Sequence, residues 1–270
     1  MIPELTHVQS APRLRMDIET GQKLKLISYN IQVGINSQSY RHYLTRGWQH
    51  FLPHPQRLAN LEQIAAQIEG HDLVALQEVD GGSIRSNHMN QVQYLAERAG
   101  YSYWYQQLNR NLGKVAQHSN GVLSRYTPKR IEDHKLPGLL PGRGAILLEF
   151  GTGSERLVVA LLHLSLGSRA RTNQLAYVRE LLQDYQHVIV MGDLNTGTDR
   201  LLNHSPLKDL DFHTAHGLHH TYPSWRPMYR FDHILLSPSI QLNAVQVLHP
   251  SISDHLPIAM EVILPIEIVI

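Results

Sequence analysis

The sequence predicts an α/β sandwich, with two packed sheets and helices on the outside. Three observations point there. Apolar runs of strand length recur along the whole chain, three stretches carry helical spacing, and the two kinds are interspersed without regular β–α–β alternation. No composition shift, low-complexity tract, internal repeat or Gly/Ser linker divides the 270 residues, a length able to bury a full core. One domain is therefore expected over residues 23–270, after a mixed, polar N-terminal extension at 1–22.

Residues 24–29 form a largely apolar run ending at Asn30, the first core strand. The stretch 33–54 is polar, aromatic and irregular (Tyr40, Tyr43, Trp48, Phe51), and is expected to loop out beside that strand end. Residues 57–69 then set Leu58, Leu61, Ile64, Ala65 and Ile68 on one helical face, with Gly70 as the stop. A second buried strand, 72–77, delivers Glu78. Residues 88–99 read as a helix closed by Gly100, and 101–106 as an aromatic-rich strand whose tyrosines and Trp104 are expected to pack in the core and on the sheet face. Strands follow at 121–124, 145–150 and 157–162, with turns marked by Pro137-Gly138 and Pro141-Gly142. The third helix, 171–185, points Leu175, Val178, Leu181, Leu182 and Tyr185 inward, leaving Arg171 and Gln174 for its start and surface. Strands recur at 187–192, 231–236, 241–248 and 258–263.

Composition removes several function classes. With no cysteine, disulfides, zinc–thiolate sites and thiol catalysis are out. No apolar run approaches the ~18 residues of a membrane span, and the first residues lack the apolar core of a signal peptide. A soluble, cytoplasmic, monomeric protein is expected. The 24 basic and 23 acidic side chains leave a net charge of +1, so charge neither supports nor excludes a nucleic-acid partner. Most of the 18 histidines lie in polar loops, where solvation explains them.

A few polar residues stand at strand ends instead. Glu78 closes an apolar strand, where burial is expensive without a cation or hydrogen bonds; alone it would be an exposed strand-end glutamate. Asn30 repeats the placement, and alone would be a turn residue. Asp193 and Asn195 follow an apolar strand and Gly192, and two residues apart they can face one side; alone they would form an Asx-turn. His163 sits inside LVVALLHLSL and needs a partner, which a core histidine also finds. Asp232 opens another apolar run and is placed to orient an imidazole, or to pair with Arg230. Asp254 and His255 stand side by side before the last strand. Together these are four carboxylates, two imidazoles and two amides, a hard set suited to Mg²⁺ or Mn²⁺ and to attack of water on phosphorus.

The motifs SYNIQ at Ser28–Gln32, LQEVD at Leu76–Asp80, NGVLSRY at Asn120–Tyr126, LLHLSL at Leu161–Leu166, MGDLN at Met191–Asn195, FDHILLS at Phe231–Ser237 and SDHLPI at Ser253–Ile258 occur in that order. In this the chain resembles the endonuclease/exonuclease/phosphatase superfamily, the deoxyribonuclease-I-like metal phosphohydrolases, over residues 24–263. The resemblance implies a four-layer α/β/β/α sandwich of two mostly antiparallel sheets, with the site at one edge. It implies Glu78 as the principal Mg²⁺ ligand, with Asn30 nearby and Asp254 acting directly or through water. Asp193 would orient and deprotonate the attacking water, Asn195 and His163 would contact phosphoryl oxygens, and His255, held by Asp232, would stabilise the pentacovalent state or shuttle a proton. The resemblance leaves open which of these is the base. Arg143 and Asn120 would touch substrate.

Departures bear on the substrate. Val79-Asp80 follow Glu78 where abasic-site endonucleases carry Thr-Lys, and the segment ending at Asp232 has no Cys where inositol-phosphate phosphatases do. The chain is closer to small bacterial members of unassigned substrate, and 34–55 is expected to rim the cleft. The expectation is a Mg²⁺-dependent phosphodiesterase acting foremost on nucleic acid. A phospholipid headgroup or small phosphoester is the alternative substrate, and a catalytically dead binding module is disfavoured because every acidic and imidazole position is filled.

Overall fold

The computed structural model describes residues 21–37, 39, 52–138, 141–152, 156–215 and 219–268. Most of the expected N-terminal extension and the aromatic residues 40–51 of the expected rim lie outside them. Two sheets stack face to face. The first contains β1 (Gln22–Asn30), β2 (Leu73–Asp80), β3 (Tyr103–Asn111), β4 (Gln117–Ser124), β10 (Gln241–Val247) and β11 (Ile258–Leu264), in the order β10-β11-β1-β2-β4-β3. The second contains β5 (Arg130–Lys135), β6 (Gly144–Phe150), β7 (Leu157–His163), β8 (His187–Asp193) and β9 (Asp232–Leu236), in chain order. Each sheet has one parallel pair, β1/β2 and β7/β8; the other pairs are antiparallel.

Helices α1 (Gln56–Ile68) and α2 (Gln91–Ala99) flank the first sheet, while α3 (Ser168–Leu182) and the short α4 (Thr198–Asn203) flank the second. Among the described residues no helix is long and apolar enough to cross a membrane.

Period-two alternation builds the layers. Leu24, Leu26, Leu73 and Ala75 meet Leu148, Val159, Leu161 and Ile189 between the sheets. The intervening Ile27, Tyr29, Val74 and Leu76 face Leu61, Ile64 and Leu95 of the helices. On the other side Val158, Ala160, Val188 and Val190 meet Leu175 and Val178. Both faces of these central strands are covered, so they read as unbroken apolar runs rather than alternating ones.

Several details depart from expectation. The edge strand β5 (RIEDHK) has too few apolar residues to announce itself, and among the described residues it pairs only with β6. Helix α2 starts at Gln91 rather than 88, because Asn87 and His88 take positive φ and Asn90 caps the helix, accepting from Val92 N at 3.0 Å. Tyr103 and Trp104 are 39% and 41% exposed, not core residues, since β3 is the outer strand of its sheet. Arg171 and Gln174 are buried instead of lying on the helix surface: Arg171 donates to the carbonyls of Ser165 and Leu166, and Gln174 accepts from Ser165 N at 2.9 Å. Both pin the loop after β7.

Candidate active site

The polar strand ends collect where the two parallel pairs terminate. Register explains it: His163 lies opposite Asp193 across β7/β8, Asp193 opposite Asp232 across β8/β9, and Asn30 opposite Gln77 across β1/β2. Gly192 lets β8 approach β7, since a methyl group there would stand 1.9 Å from the Leu162 carbonyl oxygen, and its φ is 144°. Glu78 occupies a bulge, where the β2/β4 register shifts between Leu76 and Val79, and takes φ 54°. Its side chain remains 36% exposed.

His255 Nδ1 donates to Asp232 Oδ2 at 2.8 Å, leaving Nε2 3.9 Å from Asp193 Oδ2. Burial disfavours the His255 imidazolium, but Asp232 and Asp193 outweigh it and raise its pKa well above the ordinary range. Asp193 is buried, and burial, with repulsion from Asp232 and Glu78, lifts its carboxyl to about 7 against the pull of His255. Asn30 Nδ2 donates to Asp193 Oδ2 at 3.2 Å.

His163 Nε2 stands 3.6 Å from Asp193 and 3.9 Å from Glu78 and accepts from the Arg143 guanidinium, which assigns its proton to Nδ1. Burial, then Arg143 and His255, lower its pKa well below the ordinary value. Burial and the Asp254 carboxylate raise that of Glu78.

The remaining expected residues fall close by. Asn195, at φ 51°, donates its backbone N–H to Asp193 Oδ1 at 3.0 Å and its amide to the Leu164 carbonyl at 2.9 Å. Asp254 is buried and receives the Ser253 hydroxyl at 3.1 Å. Asn120 is buried, with its amide 3.4 Å from both Gln107 Oε1 and the Gly144 carbonyl, and neither of these bonds reaches the carboxylates.

Four supports were given no role from sequence. Tyr29 OH bonds Ser251 Oγ at 3.0 Å and accepts from Ile252 N, Ser253 Oγ donates to the Asn30 carbonyl at 2.6 Å, and Tyr222 packs its ring 4.7 Å from that of His255. Buried His233 Nε2 lies 2.8 Å from the Thr196 carbonyl and 3.0 Å from that of Arg230, tying the loop after β8 to the start of β9. The Ser-x-Ser spacing before Asp254 was the one signal in the sequence.

Among the described residues, ligand atoms of Asp193, Asp232 and His255 lie within 4.8 Å of one another, close enough for an ion. The hydrogen bond between His255 and Asp232 occupies part of that group. Glu78 and Asp254 add carboxylates; Asp254 repels Glu78 and Glu78 repels Asp193, which a divalent cation would offset, and oxygen donors fit Mg²⁺ or Mn²⁺.

A two-sheet sandwich that brings carboxylates, imidazoles and an arginine to one edge defines a phosphoester-hydrolase scaffold. The Endonuclease/Exonuclease/phosphatase family model matches residues 27–255, and the chain belongs to this family.

Among solved structures, an endonuclease/exonuclease/phosphatase from Beutenbergia cavernae is similar at 21% identity and TM-score 0.66, covering 90% of this chain and 72% of that one. A mannosyl-6-phosphatase of Bacteroides thetaiotaomicron matches at 18% identity and TM-score 0.65, covering 89% and 99%. D. rerio TDP2, complexed with a single-strand DNA product, matches at 20% identity and TM-score 0.61, covering 89% and 98%. These likenesses show the fold. Among curated protein sequences none matches.

Proposed function

We propose that the protein is a Mg²⁺- or Mn²⁺-dependent phosphodiesterase with nucleic acid as its leading substrate. The observation that carries this reading is the line Asp232–His255···Asp193, a hydrogen-bonded imidazolium beside a carboxyl whose pKa is raised to about 7. An acid and a base with such properties face the same space.

Asp193 in its carboxylate form takes the proton of the attacking water, and Asn30 holds the accepting oxygen. His255, fixed by Asp232, presents Nε2–H to the phosphoryl group and supplies a proton to the departing oxygen. Arg143 donates to His163 Nε2, the nitrogen nearest Asp193 and Glu78, and so adds positive charge at that edge of the site, beside a His163 ring that stays neutral. Glu78, Asn30 and Asp254 would hold the metal, with Asp193 close enough to share it. When bound, the ion supplies positive charge that stabilises the phosphoryl oxygens. Asn195, a phosphoryl contact in this scheme, needs its left-handed backbone to face the Asp193 side of the site.

The test is a parallel hydrolysis screen with Mg²⁺ and with chelator, His255→Ala serving as control. It contains plasmid DNA, single-stranded DNA and RNA, abasic duplex, choline phospholipid, inositol phosphates, a sugar phosphate and bis-p-nitrophenyl phosphate. Metal-dependent cleavage of a polynucleotide, lost in the variant, is the expected result. Cleavage confined to the sugar phosphate or phospholipid would overturn the nucleic-acid assignment. Activity unaffected by chelator and by His255→Ala would overturn the site.

A further inference from the structure

Sheet order sets the sequence of groups along the site edge. Across the second sheet the strands run β5-β6-β7-β8-β9, about 4.8 Å apart. The edge therefore passes from Arg143, just before β6, through His163 and Asp193 to Asp232 at the start of β9. Its first end is cationic: besides Arg143, the Arg110 side chain lies beside Gly142, where an added methyl group would sit 3.4 Å from the Arg110 Cβ.

The other end is aromatic. A β-bridge sets Tyr222 opposite Tyr229, and Phe231, two residues beyond Tyr229, points to the same face. The rings form a ladder. Tyr229 stacks on Phe231 with centroids 5.3 Å apart and planes 10° apart, and Phe231 stacks on Tyr222 at 5.5 Å and 28°. Tyr222 meets the His255 imidazole at 4.7 Å and 46°. The outermost ring of the ladder, Tyr229, is 49% exposed.

This hairpin is fastened to the reacting groups. Ser224 N donates to the Asp254 carbonyl at 2.7 Å, Ser224 Oγ to that of Ser253 at 2.7 Å, and Leu256 N to that of Thr221 at 2.8 Å. Arg226 is exposed and Arg230 half-buried, and no carboxylate among the described residues pairs with either. An aromatic face, two cations that no carboxylate among the described residues pairs with, and a reacting centre thus adjoin one another.

We propose that the hairpin 221–231 is a base-stacking platform and that the substrate is a single-stranded polynucleotide, with a base flanking the scissile phosphate lying against Tyr229. This rests on the reading of the site as a phosphoester hydrolase and adds the substrate class. Neighbouring phosphates of the strand meet Arg226 and Arg230. Every nucleobase has a π-face, so such a platform gives affinity with little sequence preference. A base paired within an intact duplex keeps its faces covered by its neighbours, whereas a base in a single strand can present one to the platform.

The test compares two fluorescent oligomers of equal length and phosphate number, one single-stranded DNA and one wholly abasic, by anisotropy in chelator so that neither is cut. Wild-type protein is expected to bind the base-bearing oligomer about tenfold tighter, the order of one stacked base. Tyr229→Ala should bring that ratio close to one, and Tyr229→Trp should restore it. Arg226→Ala should weaken both oligomers alike and reduce the salt dependence.

Equal affinity of the wild type for the two oligomers overturns the platform, as does an unchanged ratio in Tyr229→Ala that melts like the wild type. Because the readout is binding, failure of the platform is distinguishable from failure of the catalytic reading beneath it, which the hydrolysis screen tests.

Discussion

The two parallel units of the sandwich, β1–α1–β2 and β7–α3–β8, do the same topological task but leave their carboxyl groups differently exposed. Each runs strand, helix, strand and ends with polar residues at the carboxyl ends of its strands, Asn30 and Glu78 in one, His163 and Asp193 in the other. Asp193 stays in regular register between His163 and Asp232, and its side chain is 3% exposed. Glu78 sits in a bulge that turns it outward to 36% exposure. Regular pairing thus makes a buried carboxyl that holds its proton to about pH 7. The bulge makes a carboxylate that solvent and an ion can reach. The difference teaches that one residue's departure from the ladder sets how far a strand-end carboxyl is exposed, and the proposed division between a proton-handling acid and a metal ligand rests on it.

The strongest way to break this division is to neutralise each side separately. Asp193→Asn and His255→Ala should each lower kcat by on the order of 10²–10⁴ with metal binding retained, as loss of a general acid or base does; calorimetric Mg²⁺ titration beside turnover checks both halves. Asp232→Asn should give a milder loss, since the imidazole remains and only its orienting charge goes. Glu78→Gln should instead move the Mg²⁺ dependence to roughly tenfold or higher concentration, with activity partly recovered at saturating metal. If Glu78→Gln lowered kcat without moving the metal dependence, the two carboxylates would not be divided as proposed.

How much of this was legible differs between the units for the same physical reason. Central strands are apolar on both faces, so 157–162 and 187–192 were readable to within a residue, and the polar groups that end them stood out. The Glu78 bulge was not readable: β2 continues through Val79 to Asp80, and nothing in LQEVD marks the residue that takes positive φ. Edge elements were read least well. β5 lacks an apolar face, and the exposure of Tyr103 and Trp104 depends on β3 having no outer neighbour, a property of sheet order that local sequence does not encode. The His255 partners on the 221–231 hairpin escaped because ring contacts across a turn have no fixed spacing.

A pH titration of stability sharpens the comparison further. Between about 4, the unfolded Asp value, and about 7, the folded protein keeps on Asp193 a proton that the unfolded chain has released. Stability from this group therefore falls as pH rises through that window. The contribution of His255 is full below its unfolded value of about 6.5 and is lost as pH climbs through its higher folded value. In chelator, the Tm of the wild type should decline with rising pH. Asp193→Asn should flatten the limb below pH 7, and His255→Ala the limb above. A Glu78→Gln protein should keep the upper limb and narrow the lower one, since Glu78 is one of the charges that raise Asp193; an unchanged lower limb would show the two units to be electrostatically separate.

The smallest expected effect concerns the backbone. Glu78 and Asn195 hold nearly the same left-handed conformation, φ 54° and 51°, at matching ends of the two units. Asn tolerates that region through its short polar side chain, whereas Glu does not, and an ordinary side chain there costs about 1–2 kcal/mol. Glycine relieves the strain but gives the unfolded chain more freedom, which offsets part of the gain. Glu78→Gly should therefore raise stability in urea unfolding by about 1 kcal/mol, helped by removal of a carboxylate whose ionisation burial and Asp254 oppose. Asn195→Gly should be neutral or slightly destabilising, because it also loses the 2.9 Å bond to Leu164. Both should lose activity. A protein stabilised by Glu78→Gly yet inactive would show strain retained at the proposed metal-binding carboxylate for function, while equal responses at the two positions would place the cost in the bulge rather than in the residue it carries.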